Sequence, residues 1–301
     1  MRKALKIILY VVCSIIFLLL GAVIYLNSQW GQNFVRGKAE AFLHTKLKTF
    51  VHIGHLGYGL PKYIVLDDVL FLDEAKDTLL YAGELKIDLA MLKLIHKNVD
   101  VQQLVLKGVH AHIYRNRPDT TYNFSYIITA FTGNKSKDAK PKDTTASSLQ
   151  IDLDHVKFDD VHVRFDDYTG GMRLAVDLEH LDLRMKKLDL DEMLFHIKSL
   201  DVAGLQTTFS QDSSYLPVKR QDTSKTRLQL IADNMDLQRV GFQYNDALHK
   251  LLFGLKLGNA NLQLNKFSLA DNVIDVKKLV LDNSDIALAM GALSTAPAFV
   301  E

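Results

Sequence analysis

The stretch LQIDLDHVKFDDVHVRFDDYTGGMRLAVDLEHLDLRM, Leu149 to Met185, decides how the rest of the chain is read. Its apolar residues come in alternating runs: Leu149, Ile151 and Leu153; Val161, Val163 and Phe165; Leu174, Val176 and Leu178; Leu181, Leu183 and Met185. Between them stand Asp152, Asp154, His162, Arg164, Asp177, Asp182 and Arg184. Successive strand side chains point to opposite faces, so a period of two predicts half-buried strands with one apolar and one charged face. Tyr168-Thr169-Gly170-Gly171 has the glycines of a hairpin turn.

The pattern recurs. A gapless shift of 79 aligns Leu149/Leu228, Gln150/Gln229, Asp154/Asp233, Val161/Val240, Asp167/Asp246, Leu183/Leu262 and Leu200/Leu279, among eleven identities over Leu149–Val202. Apolar positions also match: Phe158/Leu237, Val163/Phe242, Phe165/Tyr244, Val176/Leu255 and Ile197/Val276. A shift of 96 brings in an earlier block through Leu85/Leu181, Val101/Ile197, Leu104/Leu200 and Gly108/Gly204. Repetition of this kind predicts a solenoid-like stack whose units bury apolar surface only against neighbours.

These repeats divide the chain. A first β unit is expected over 51–131, with strands around Val51, Tyr63–Leu72, Leu79–Leu89 and Val99–Ile113 and short helices at Met91–His96 and Asn123–Phe131. A second is expected over 149–210 and a third over 227–291, separated by polar, proline-containing breaks at 132–148 and 211–226 and followed by a short end, 292–301. No helix long enough to cover the apolar face follows Phe50. That face must close on itself, pair with another sheet, or meet something apolar from outside.

The chain begins differently. Ile7 to Leu26 is twenty residues without a charge, preceded by Arg2, Lys3 and Lys6. A helix of that length spans about 30 Å, a bilayer's hydrocarbon thickness. The run is longer than a signal-peptide core and no small-residue cleavage site follows, so residues 1–26 read as an uncleaved anchor with a cytoplasmic N-terminus. Ser28 can cap a second, amphipathic helix over 27–50, which either packs on the following domain or lies at the membrane surface with Trp30 among the headgroups.

Composition narrows the function. Net charge is +1, from 36 Lys+Arg and 35 Asp+Glu, so no overall field draws nucleic acid. The single cysteine, Cys13, lies in the apolar run and can form no intramolecular disulfide. There is no nucleotide-binding glycine loop, nucleophile elbow or zinc-protease motif. His52-x-x-His55 and His110-x-His112 raise a metal reading, but His110 and His112 share a polar strand face and read as solvated. Asp67-Asp68, Asp159-Asp160 and Asp166-Asp167 are adjacent strand residues, expected on opposite faces rather than as acid–base pairs. Lys135, Lys137, Lys140 and Lys142 make a basic loop without aromatics. The expectation is a non-enzyme without metal or cofactor.

Several segments together resemble a known family. Trp30-Gly31-Gln32-Asn33-Phe34 follows the apolar run; then come Val51-His52-Ile53-Gly54, Asp77-Thr78-Leu79-Leu80-Tyr81-Ala82-Gly83, Tyr114-Arg115, Asn123-Phe124 and Gly204-Leu205-Gln206-Thr207-Thr208. In this order they resemble the N-terminal region of TamB-like proteins of the AsmA group, in their Bacteroidota-type versions. The resemblance implies a single-pass inner-membrane protein with its bulk in the periplasm. It implies a mainly β fold in which repeated antiparallel meanders form an open, curved, taco-like groove. It further implies phospholipid acyl chains as ligands, a role in translocation and assembly at the outer membrane, and an Omp85-type outer-membrane partner. Family members are several times longer, so the chain is expected to be an N-terminal fragment lacking the partner-binding region. The groove-lining candidates are Val161, Val163, Phe165, Leu174, Val176 and Leu178, with Val240, Phe242, Tyr244, Phe253, Leu255 and Leu257; Ile7, Leu26 and Trp30 mark the anchor. A chaperone-like scaffold that binds clients at strand edges is the competing function.

Overall fold

The computed structural model describes residues 28–59, 63–89, 101–119, 121–132, 153–189, 192–212 and 228–291, together with 17, 21, 24 and 25. Ten strands form one sheet in the order of the chain. They are β1 (Val51–Gly59), β2 (Tyr63–Leu72), β3 (Thr78–Leu89), β4 (Val101–Arg115), β5 (His155–Asp167), β6 (Met172–Asp189), β7 (Leu194–Gln211), β8 (Gln229–Asp246), β9 (Leu251–Ser268) and β10 (Val273–Met290). β1 does not pair with β10, so the sheet is open, not a closed barrel. Among the described residues, α1 (Gln29–Leu47) and α2 (Ser125–Thr132) accompany it.

The repeats are strand triplets. Met172 and Leu251 open β6 and β9, and Leu194 and Val273 open β7 and β10, both pairs 79 residues apart. Within a unit every pairing is antiparallel, as an alternating meander requires. The joins differ from the expected run of antiparallel meanders: β4–β5 and β7–β8 are parallel. Parallel neighbours need a crossover instead of a hairpin. Both polar breaks fall between parallel partners, so all three units belong to one sheet.

The sequence runs Leu174–Leu178 and Leu181–Met185 are not successive strands; both lie in β6. Between them the alternation slips by one residue, at Glu179-His180. The same slip occurs in every strand; in β1–β9 it falls at the second or third position of an apolar-x-x-apolar tetrapeptide, and in β10 at Asn283 of Leu281-Asp-Asn-Ser284. Examples are Ile53-Gly-His-Leu56, Leu66-Asp-Asp-Val69, Ala82-Gly-Glu-Leu85, Leu106-Lys-Gly-Val109, Phe158-Asp-Asp-Val161, Val202-Ala-Gly-Leu205, Leu237-Gln-Arg-Val240 and Leu257-Gly-Asn-Ala260. Left-handed backbone marks it at Asp68 (φ 52°), Gly108 (59°), Asp160 (56°), Gly204 (65°), Arg239 (51°) and Asn283 (51°).

These positions face one another. Asp68 and Gly83 stand between the pairs Asp67↔Glu84 and Val69↔Ala82, and Asp160 and Glu179 between Asp159↔His180 and Val161↔Leu178. Arg239 and Gly258 hold the same place between Gln238↔Asn259 and Val240↔Leu257. One unpaired residue faces one on the neighbouring strand, so the pairing register is kept on both sides and the interruptions line up across the sheet. A second line of register shifts crosses β6–β10, near Met185, Ile197, Ala232 and Val276. Each slip at the first line puts the apolar residues before and after it on one face of a strand of up to 18 residues.

Val69, Ala82, Val109, Val161, Leu178, Val202, Val240, Leu257 and Ala260 form the main core beside the first line. Ile197, Ala232 and Leu264 form a smaller core beside the second.

Helix α1 starts where expected: the Ser28 hydroxyl accepts the Gly31 N–H at 3.3 Å, and Lys48 closes the helix in the left-handed conformation. It packs against β1 with its aromatic side turned away. Trp30, Phe34 and Phe42 are exposed, while Arg36, Glu40, Leu43 and Leu47 face the sheet. Glu40 accepts the Ile53 N–H at 2.7 Å, and Arg36 donates to the carbonyls of Gly54 and Ile53. An edge strand's unpaired backbone groups are thereby satisfied by a helix.

Candidate functional site

One row of side chains can be followed across all ten strands: Val51, Phe71, Leu80, Ala111, Val163, Val176, Thr207, Phe242, Leu255 and Ile286, each directly opposite the next. Only Thr207 carries a polar group. At about 4.8 Å per strand the row is about 43 Å long. Val51 is buried, the members from Phe71 to Leu255 are half-buried, and Ile286 is exposed.

The structure gathers all twelve sequence candidates on this face. Val161, Val163 and Phe165 oppose Leu178, Val176 and Leu174, and Val240, Phe242 and Tyr244 oppose Leu257, Leu255 and Phe253. Phe209 of β7 links the two sets, opposite Leu174 on one side and Tyr244 on the other, its ring 5.6 Å from that of Tyr244. The sequence candidates omitted β2–β4, whose Phe71, Leu80 and Ala111 continue the row. The apolar-x-x-apolar slip was the signal that places them in phase.

Two helices cover one end of the row. Leu43 and Leu47 of α1, Ile127 of α2 and Phe124 just before it line, over Phe71, Leu80 and Ile113, an open apolar pocket of about 370 Å³. Buried aspartates hold this cover. Asp73 accepts the Ala75 and Asp77 N–H groups of the β2–β3 turn, the Tyr114 hydroxyl at 2.8 Å and the Asn123 amide at 3.2 Å. Burial, and then the bond to Asp73, push the Tyr114 hydroxyl up to about 12. Asp167, 1 % exposed, accepts Arg115 through both oxygens, the Tyr122 hydroxyl and the Thr169 and Gly170 N–H groups. Its burial works to raise the carboxyl, but Arg115, Gly170 and Tyr122 outweigh that and hold it below the usual range. Tyr114, Arg115 and Asn123, singled out by family resemblance, therefore fasten the turn and α2 to the sheet.

The outer face carries histidine–carboxylate pairs: His112–Asp166, His155–Asp182, His162–Asp177, His180–Asp159 and His196–Asp233. Asp166 and Asp167 diverge as expected, one to His112 and one into the interior. Asp159 and Asp160 do not: both meet histidines on the polar side, because the left-handed turn at Asp160 interrupts the alternation.

Among the described residues, no helix is long and apolar enough to cross a membrane. The expected anchor, with Ile7 and Leu26, lies outside the described residues except for Phe17, Gly21, Ile24 and Tyr25. The helix expected at Met91–His96, the Lys135–Lys142 loop and residues 292–301 also lie outside them. No family model matches the chain, and no curated protein is significantly similar to it.

Proposed function

We propose that this chain is a membrane-anchored lipid conduit of the TamB-like, AsmA-group type: a curved β groove that carries phospholipid acyl chains from the inner membrane toward the outer membrane, in support of outer-membrane protein assembly. The observation that carries the reading is the ten-strand apolar row, open along most of its length. Withdrawing a sixteen-carbon acyl chain into water costs about 12 kcal/mol at about 0.8 kcal/mol per methylene. A row of side chains spaced by one strand lets a chain slide from one contact to the next without that cost, while its headgroup stays in water. The aligned slips keep the apolar residues of every strand on one side, so the row is continuous from β1 to β10. Exposed Trp30, Phe34 and Phe42 on α1 suit a helix at the headgroup level beside the Ile7–Leu26 anchor. In this reading the helix-covered end of the row lies nearest the inner membrane and β10 leads away from it.

The test is photo-crosslinking of the full-length chain in cells. A photoreactive residue at Val176 or Leu255 should yield phospholipid adducts by mass spectrometry; one at Arg164, on the outer face of β5, should not. Val176→Asp should abolish adducts at Leu255. Equal labelling at Arg164, or no lipid at either inner position, would refute the conduit.

Strand β10 supports a second reading, a scaffold that binds client strands. Among the described residues no strand pairs with its outer edge, and Ile274, Ile286, Leu288 and Met290 are 63–77 % exposed. Polypeptide adducts at β10 with no lipid in the row would favour it.

A further inference from the structure

The parallel seam between the first two units brings together residues far apart in sequence. His110 of β4 and His162 of β5 are direct partners, with ring centroids 4.9 Å apart and planes 8° from parallel. Asp160 lies on the same side because its backbone is left-handed. One ligand atom from each of His110, Asp160 and His162 lies within 4.8 Å of the others. We propose that these three side chains bind a divalent transition-metal ion of the zinc class, clipping β4 to β5.

Three features favour a metal over an ordinary surface ion pair. The first is donor chemistry: two imidazoles and one carboxylate leave open positions for water, a set suited to zinc, cobalt, nickel or iron. The second is the parallel stacking of His110 on His162. It brings ring nitrogens from two neighbouring strands to one side of the seam, beside the Asp160 carboxylate. The third lies behind the donors. His162 Nε2 is 3.0 Å from Asp160 Oδ1, while its Nδ1 is 2.7 Å from Asp177 Oδ1. A metal-bound histidine commonly donates its remote N–H to a carboxylate, which fixes tautomer and ring orientation. Asp177, on β6, is in that place, and Arg164 at 3.9 Å restrains it.

Tetrahedral metal–ligand bonds of about 2.1 Å set donors about 3.4 Å apart, so the widest donor pair must close by up to about 1.4 Å. His110 and Asp160 are exposed, so rotation of their side chains supplies this without moving the sheet. On binding, a proton shared between His162 Nε2 and Asp160 leaves to solvent and the ion takes its place. His112, two residues from His110, is not part of the set; it pairs with Asp166 at 2.9 Å. The i, i+2 spacing visible in the sequence thus pointed to the wrong second histidine.

The experiment is a Co²⁺ titration, then Zn²⁺ calorimetry, of the metal-stripped full chain in detergent, carrying no histidine tag. One equivalent of Co²⁺ should bind at pH 7.5 with visible ligand-field absorption, and Zn²⁺ should displace it. His162→Gln and His110→Ala should each remove the absorption, and Asp177→Asn should weaken binding about ten- to hundredfold at unchanged stoichiometry. His112→Ala should leave binding unchanged. Circular dichroism of every variant checks the fold, and a variant that fails it is replaced by His110→Gln or His162→Asn. Absence of the absorption in the wild-type chain, or its persistence in both the His110 and His162 variants, overturns the site.

Discussion

Strands β1 and β10 are the two edges of one sheet, and they end it in opposite ways. β1 is shielded: Glu40 and Arg36 bond its backbone, and Val51, Ile53 and Leu56 are buried. β10 has the same alternation and is longer, yet most of its side chains are exposed. The difference is not composition, since Ile274, Leu279, Leu281, Ile286 and Leu288 are as apolar as anything on β1. It is the presence of α1 and α2 at one edge and of no described element at the other. A sheet of this kind is sealed by what lies on its edge, and its strands supply a surface that can continue.

The contrast can be broken most forcefully at the buried carboxylate of the covered half. Asp167→Ala leaves Arg115 and Tyr122 without their partner and should cost about 3–4 kcal/mol in urea unfolding. An unchanged midpoint would mean that the α2 cover contributes nothing to stability. Next comes the same truncation at both edges. Leu47→Ala, at a residue 4 % exposed, should cost about 2–3 kcal/mol, whereas Leu288→Ala, at 63 %, should cost less than about 0.5 kcal/mol. Hydrogen exchange should follow, with β10 amides exchanging well before those of β2–β4.

Smaller effects probe the line of slips. A Cβ at Gly258 would lie 2.6 Å from the Asn283 carbonyl oxygen, so Gly258→Ala must displace backbone and should cost about 1–3 kcal/mol. At Gly83 the nearest atom is the Lys107 carbonyl oxygen at 3.3 Å, and Gly83→Ala should cost less than about 1 kcal/mol. Thermal melts of the pair compare the two ends of one crease.

The smallest expected effect is the acid limb of stability. The Gly-side N–H bonds and Arg115 hold Asp167 below its ordinary value, and the His249 N–H and ring hold Asp246, its repeat counterpart, low as well. A depressed folded-state value means the unfolded chain takes up the proton first. The stabilisation is therefore present above about pH 4 and disappears as pH falls through the folded values. Asp246→Asn should flatten this limb slightly and Asp167→Asn more so, measured as melting temperature between pH 6 and 3.

Much of the architecture was legible because it rests on a period. Alternation at Val161–Phe165 and Leu174–Leu178 gave strands and a face, and the 79-residue shift gave strand triplets whose starts coincide in space. Ser28 gave the start of α1, since a side-chain oxygen ahead of a helix satisfies a free N–H. The sequence left open whether α1 packs on the domain or lies at a membrane surface, because Trp30, Phe34 and Phe42 follow helical spacing as well as any core does. Periodicity says which residues share a side; it does not say which side meets the sheet.

By itself, then, the sequence determined the strands, their repeat and their two-faced character, because side-chain alternation is local and needs no partner to be read. Only the tertiary structure decided that three units make one sheet, that the joins are parallel, that ten one-residue slips align, and that His110 sits beside His162. Each of those is a question of register between distant segments. Register is set by backbone pairing and by the burial it permits, and a polar stretch leaves no trace in the sequence of whether it is a hairpin, a linker or a crossover.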